Sequence, residues 1–120
     1  MRNTPQNFYK KFLGAAGENK VATYLKKSGC KILKRNYRTP FGEADIVVQD
    51  GEDIAFVEVK TRSTDSFSRP AEAVGARKRK KYVDIANYYM LGAEEETNIR
   101  FDVAEVTKEG INWIKNAFEC

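Results

Sequence analysis

Apolar residues recur along this chain first at helical spacing, then at strand spacing, and then in both again. The pattern predicts a helix over Gln6 to Ser28, with Thr4-Pro5 as a start signal and Gly29 as a stop. Phe8, Phe12, Ala15, Ala22 and Leu25 share one face of it, and Glu18 falls inside that arc, between Ala22 and Leu25. Gly14 and Gly17 lie nearby and permit close backbone approach. Lys31 to Arg38 reads as a first strand, broken off by Pro40 and Gly42. Glu43 to Gln49 and Asp53 to Thr61 read as a strand pair around Asp50-Gly51. A polar loop, Ser63 to Arg69, leads to a second helix over Pro70 to Leu91, with Pro70 suited to its first turn. After an acidic loop, Gly92 to Asn98, come a strand over Ile99 to Thr107 and a last strand near Ile111 to Ile114. The predicted order is α-β-β-β-α-β-β. A central mixed sheet with a helix on each side buries both the strands and the helix stripes.

A chain of 120 residues is expected to form one domain, spanning residues 1–120. No apolar run is long enough to cross a membrane, and MRNTPQNFYKK holds no apolar signal core. Cys30 and Cys120 stand far apart and form no metal-type pair. A reduced, cytoplasmic protein with no membrane partner is the simplest expectation. The net charge of +4 permits a polyanionic partner without requiring one. Histidine is absent, which excludes Ser-His-Asp triads, Cys-His pairs and His-ligated zinc. Chemistry here must use carboxylates, lysines, or a hard metal held through oxygen.

The candidate chemistry lies in FGEADIVVQDGEDIAFVEVKTR, Phe41 to Arg62. Residues two apart on a strand share a face, so Phe56, Glu58 and Lys60 point the same way. If Asp50-Gly51 is a two-residue turn, Asp45 pairs with Phe56 and Glu58 is its diagonal neighbour. If Asp50 to Asp53 form the loop, Asp45 lies opposite Glu58. Both registers gather Asp45, Glu58 and Lys60 on one face, with Cβ atoms roughly 5 to 8 Å apart; a three-residue loop would split them. Two carboxylates this close repel, and a divalent cation is a natural compensator. Mg²⁺ takes one or two carboxylates and several waters, polarises a phosphoryl oxygen and activates bound water. Lys60 could orient that water or steady charge on phosphorus. A solvent-exposed Glu58–Lys60 pair on a two-sided hairpin is the competing explanation. The apolar flanks Ile46 to Val48 and Ile54 to Val57 weigh against it, because they mark strands covered on both faces.

The same segment resembles the signature of the PD-(D/E)xK nuclease superfamily: an acid, a hairpin, then E-x-K. From GAAGENKVATYL through KILKRNYR and the hairpin to IRFDVAEV, the chain resembles the YraN-like family of uncharacterised bacterial proteins, related to archaeal Holliday-junction resolvases. That resemblance implies a restriction-endonuclease-like three-layer α/β/α fold. It implies Asp45, Glu58 and Glu18 as ligands of Mg²⁺ or Mn²⁺, and Lys60 as the catalytic lysine. Glu43 shares the face of Asp45 and either assists with metal or binds backbone.

Arg77 to Lys81 is the densest basic run, and most of it scatters around its helix. Lys78 differs: it projects into the stripe of Ala71, Val74, Tyr82, Ile85 and Tyr89, where it either snorkels or reaches a buried acid or a phosphate. Lys34, Arg35, Arg38 and Arg62 could border the hairpin face as a cationic rim for DNA, with Lys78 supporting them. Tyr82, Tyr88 and Tyr89 read as core or dimer surface, and Arg100 with Asp102 as a structural pair. Ile111, Trp113, Ile114 and Phe118 either close the core or supply a homodimer interface. Three functions follow: a Mg²⁺-dependent endonuclease acting on branched or structured DNA, a catalytically silent nucleic-acid-binding module of the same fold, or a structural domain with solvated acids.

Overall fold

The computed structural model describes residues 5–62, 75–93 and 97–118, with side chains of the first helix from Ala15 onward. Its elements are α1 (Pro5–Lys27), β1 (Lys31–Thr39), β2 (Gly42–Asp50), β3 (Asp53–Thr61), α2 (Ala76–Met90), β4 (Asn98–Thr107) and β5 (Gly110–Ile114). The five strands form one sheet in the order β1-β2-β3-β4-β5. β3 and β4 run parallel, and the other neighbours are antiparallel. A parallel pair needs a crossover, and α2 lies within that connection.

Strand alternation builds a core on each face. On one face Val21, Ala22 and Leu25 of α1 meet Ile46, Val48, Ala55, Val57, Ala104 and Val106. On the other, Tyr82, Ile85 and Ala86 of α2 meet Val47, Phe56, Val103 and Phe118. The central strands are covered twice, so their apolar runs are nearly continuous. Full burial of side chains such as Leu25, Ile46 and Phe56 contributes about 1.5–3 kcal/mol each. The result is the expected restriction-endonuclease-like α/β arrangement, an open mixed sheet between two helices. No helix among the described residues is long and apolar enough to cross a membrane.

α1 ends where Gly29 directs. Gly29 adopts φ 97°, its N–H donates to the Lys26 carbonyl, and the Cys30 N–H donates to the Leu25 carbonyl. These are the two bonds of a Schellman cap, and Cys30 packs beside Leu25 in the same core. Three expectations need correction. Ala15 is exposed, and Val21 is fully buried in the stripe instead. The second helix does not run unbroken from Pro70, because Gly75 is extended (φ −81°, ψ 172°) and the helix starts at Ala76. The hairpin is closed by Gly51-Glu52, with Asp50 paired to Asp53 and Gly51 at φ 63°. The side chains of Phe8 and Phe12, and residues Ala71, Val74 and Cys120, lie outside the described residues.

A polar cluster fastens the turn end of the hairpin to β4 and β5. The Arg100 guanidinium donates to Asp102, to Asp53 at 3.1 Å and to Asp50 at 3.0 Å. Asp102 is fully buried and also accepts from Trp113 Nε1 at 2.9 Å and the Asn116 N–H at 2.8 Å. Lys115 pairs with Asp50 and lies over the Trp113 ring. Ile111 and Trp113 pack against the α1 core and Phe118 is buried in the other, so these residues close the two cores. Asp102→Ala would take the acceptor from the Trp113 and Asn116 N–H donors and from one edge of Arg100. It is expected to lower unfolding stability by about 3–5 kcal/mol, read by urea denaturation.

Candidate functional site

Continuing the observed pairing, with Ile46 opposite Val57, brings Asp45 opposite Glu58, the second of the two registers considered above. The local geometry is less regular than alternation implies. Ala44 packs with Val47 on the α2 face, although strict alternation would place it with Ile46. The slip falls at Asp45, whose carboxylate reaches across and accepts the Val59 N–H on Oδ2 at 2.8 Å. Asp45 thus satisfies a backbone donor of β3 just beyond the Ile46–Val57 pair.

Glu58 lies on the α2 face and is only 6% exposed. Tyr82 Oη donates to its Oε1 at 2.6 Å, and the Lys78 ammonium pairs with its Oε2. Lys78 and Tyr82 stand four residues apart on α2, one turn along the same stripe. The helix therefore delivers one neutral and one cationic donor to the same carboxylate. Lys60 follows Glu58 by two and is half-buried, and its ammonium forms no hydrogen bond or ion pair with another described residue. Its neighbour across the parallel pair is Glu105, which is fully buried and accepts from Arg62 Nε at 3.1 Å.

Glu18 is brought up from the other layer. A Cβ at Gly17 would clash with Thr61 Oγ1 and touch Val59, so glycine lets α1 approach the end of β3 closely. Asn36 stands between Glu18 and Glu43. With its amide nitrogen turned to the carboxylates it donates to Glu18 Oε1 at 2.8 Å and to Glu43 Oε1 at 3.2 Å. Asn36 has φ 50°, a left-handed conformation that asparagine tolerates better than most residues. Glu43 also accepts from Arg38 Nε at 3.3 Å.

Electrostatics mark this as a crowded anionic site. Burial and then the charge of Glu58 push the Asp45 carboxyl up to about 7, against smaller opposing effects of the Val59 N–H and Lys78. Burial also raises the Glu18 carboxyl; Arg35 opposes this, and Glu43 and Glu58 add to it. Burial, with the charges of Glu58 and Asp45, lifts the Tyr82 hydroxyl well above its ordinary range.

The acids are neighbours without being a finished cage. Among the described residues no three acidic, cysteine or histidine side chains stand together as a cation site. Asp45 and Glu58 nonetheless fit a hard divalent ion in donor chemistry, being all-oxygen ligands, although Lys78 already pairs with Glu58. Glu18 is held by Asn36, close enough for its charge to act on Asp45. Of the basic rim, Lys34, Arg35 and Arg38 are exposed on the edge strand β1, and Arg35 bonds Asn19 at 2.8 Å. Arg62 and Lys78 are turned inward to Glu105 and Glu58.

Two site residues escaped sequence reasoning. Tyr82 reads as core by its spacing, and its i, i+4 relation to Lys78 is the signal that ties it to Glu58. Asn36 gives no signal beyond the tolerance of asparagine for positive φ.

Comparison with known proteins gives a consistent family. The model of Uncharacterised protein family UPF0102 matches residues 17–106, a span that contains every acid of this site together with Lys60, Lys78 and Tyr82. A UPF0102 protein of Clostridioides difficile (strain 630) is 45% identical over 108 residues, covering 88% of this chain and 95% of that protein. One of Thermodesulfovibrio yellowstonii is 42% identical over 106 residues, with the same coverage of 88% and 95%. One of Alkaliphilus oremlandii is 44% identical over 115 residues, covering 90% and 98%.

The raised Asp45 carboxyl has a consequence for stability. It ionises near 3.8 when solvated and near 7 when folded, so between these values the folded chain holds more protons than the unfolded one. This contribution is complete below the lower value and is lost as pH rises through the upper one. Urea unfolding across about pH 4 to pH 8 should show a smaller fall in stability for Asp45→Asn than for the unaltered protein.

Proposed function

The chain belongs to the uncharacterised protein family UPF0102, and for it we propose a divalent-metal-dependent endonuclease acting on DNA phosphodiesters, with branched or otherwise structured DNA as the substrate class. The observation that carries this reading is the pair Asp45 and Glu58 at one end of a doubly covered hairpin. One member is pushed up to about 7, and the other is almost wholly buried. Such a pair is costly to keep unless it serves a counter-charge.

In this reading Asp45 and Glu58 hold Mg²⁺ or Mn²⁺, and Glu18 joins them from α1. The ion supplies Lewis-acid polarisation of phosphoryl oxygen and a lowered pKa of bound water. Tyr82 fixes the rotamer of Glu58 through Oε1. Asp45 is fixed through the Val59 N–H. Lys60 shares the Glu58 face, and its ammonium is the group to orient the attacking water or to meet charge on the phosphate. Lys34, Arg35 and Arg38 on the edge strand attract the backbone in a salt-dependent way. Symmetric cutting of two strands would need a second copy of the chain.

A specific observation favours a second reading, a nucleic-acid-binding module without turnover. Glu58 is already neutralised by Lys78 and hydrogen-bonded by Tyr82, so the site is electrostatically tolerable as it stands.

Calorimetric titration of Mn²⁺ at low salt, with and without a four-way DNA junction, separates the two. The endonuclease reading expects binding that Asp45→Ala abolishes, and metal-dependent cleavage reduced by about 10²-fold or more in Asp45→Ala and Glu58→Ala. Salt-sensitive junction binding without cleavage supports the silent module. Absence of metal binding with DNA present removes the enzyme reading.

A further inference from the structure

Lys78 occupies an unusual place for a lysine. It is the third residue of α2, in the first turn, where the helix dipole disfavours a cation. Gly75 offers no side-chain cap there, and no acidic residue stands in that turn. The helix itself therefore gives Lys78 no reason to turn inward. The reason is Glu58, whose side chain is 8% exposed while that of Lys78 is 38% exposed. The two partners are unequal. Glu58 is also pinned by Tyr82 through its other oxygen, whereas Lys78 hangs on a flexible four-carbon stem whose charged end lies near solvent.

Resting on the metal reading above, we propose that Lys78 is a resident counter-ion: it neutralises Glu58 in the metal-free protein and gives way when the acids take a divalent cation. Two observations carry this. The Lys78 ammonium bonds the carboxylate that the metal reading assigns as a ligand. Its charge also acts on Asp45, the second assigned ligand.

The exchange is chemically reasonable. A divalent ion brings more charge than the ammonium it replaces, and Tyr82 keeps Glu58 in position throughout. Released, Lys78 stays on the first turn of α2, where the helix dipole favours an anion. A phosphate of the bound nucleic acid has the right charge. Lys78 is thus a positioning residue, coupling occupancy of the acid pair to exposure of one more cation at the site.

The test is a Mn²⁺ titration of the full chain, comparing the unaltered protein with Lys78→Gln and Lys78→Arg, and with Asp45→Ala as control. Removing a competing cation should tighten Mn²⁺ binding in Lys78→Gln by about tenfold, the factor expected from losing one hydrogen bond to a charged group. Lys78→Arg should bind no more tightly than the unaltered protein. Equal or weaker binding in Lys78→Gln, with the unaltered protein binding and Asp45→Ala not, overturns this inference alone. Mn²⁺ binding in none of the proteins overturns the metal reading and this inference with it. A second measurement needs no variant. The Lys78 ammonium resonance in a ¹⁵N-labelled sample should be protected without metal and lost on adding Mg²⁺. Its persistence at saturating Mg²⁺ overturns the exchange.

Discussion

One carboxylate, Glu58, is buried and a second, Asp45, half-buried at one end of a hairpin that is covered on both faces, and much of the molecule is arranged around that fact. A charge placed on a doubly covered strand has little water to turn to, so each carboxylate gains from donors within the fold. Glu58 finds them on α2, which helps fix how that helix sits over the sheet: Tyr82 and Lys78 must come within bonding reach of one side chain. Asp45 finds a backbone N–H on the neighbouring strand, which coincides with the slip in strand alternation beside it. Gly17 lets α1 close over the same region, bringing Glu18 up from the opposite layer. Each of these features would be hard to explain singly, and each follows from the need to settle charge at that end.

The other end of the hairpin settles charge differently. Asp50, Asp53 and Asp102 surround one guanidinium, and Asp102 receives two further N–H donors. Arginine stays protonated at every relevant pH, and its planar fork is matched to carboxylates. The Asp50 carboxyl is held below its ordinary value there by Lys115 and Arg100, whereas Asp45 is pushed up. Acids at the turn end share one planar guanidinium, with Lys115 added at Asp50, as a fixed structural joint should. Those at the site end rely on a half-exposed lysine, a tyrosine and an amide. One hairpin thus carries a joint and a site, and the arginine shared by three acids at the turn end distinguishes them.

Most of the fold was legible because it rests on period. The strands of the hairpin, the Gly29 stop and the order of elements all follow from local residue choice, and the structure reproduces them. The start of α2 was not legible, because Pro70 is an equally good start signal and only the backbone at Gly75 rules out an unbroken helix. Nor was the exposure of Ala15, since alanine fits either side of a helix boundary. At the site, the opposition of Asp45 and Glu58 was one of two registers that the spacing allowed. The slip at Asp45 was hidden, because it answers to a side chain bonding a neighbouring strand rather than to sequence period. Tyr82 looked like core because it is core, with its hydroxyl alone doing polar work. Arg62 looked like part of a cationic rim, but a buried acid on the adjoining strand draws it inward.

Glu18 shows how the layers limit the site. It comes from α1, while the donors of Glu58 come from α2, so the two acids approach from opposite faces of the sheet and share only the region around Asp45. Asn36 holds Glu18 by an amide, a neutral donor that stabilises a carboxylate less than an ammonium does. Lys78 holds Glu58 by charge. On the metal reading, then, the acids are released unequally: Glu18 gives up a neutral hydrogen bond, whereas Glu58 must give up an ion pair. Asp45 lies between them, held by the Val59 backbone N–H. On that reading Asp45 would anchor a bound cation, and Lys78, rather than the backbone, would control whether Glu58 joins it.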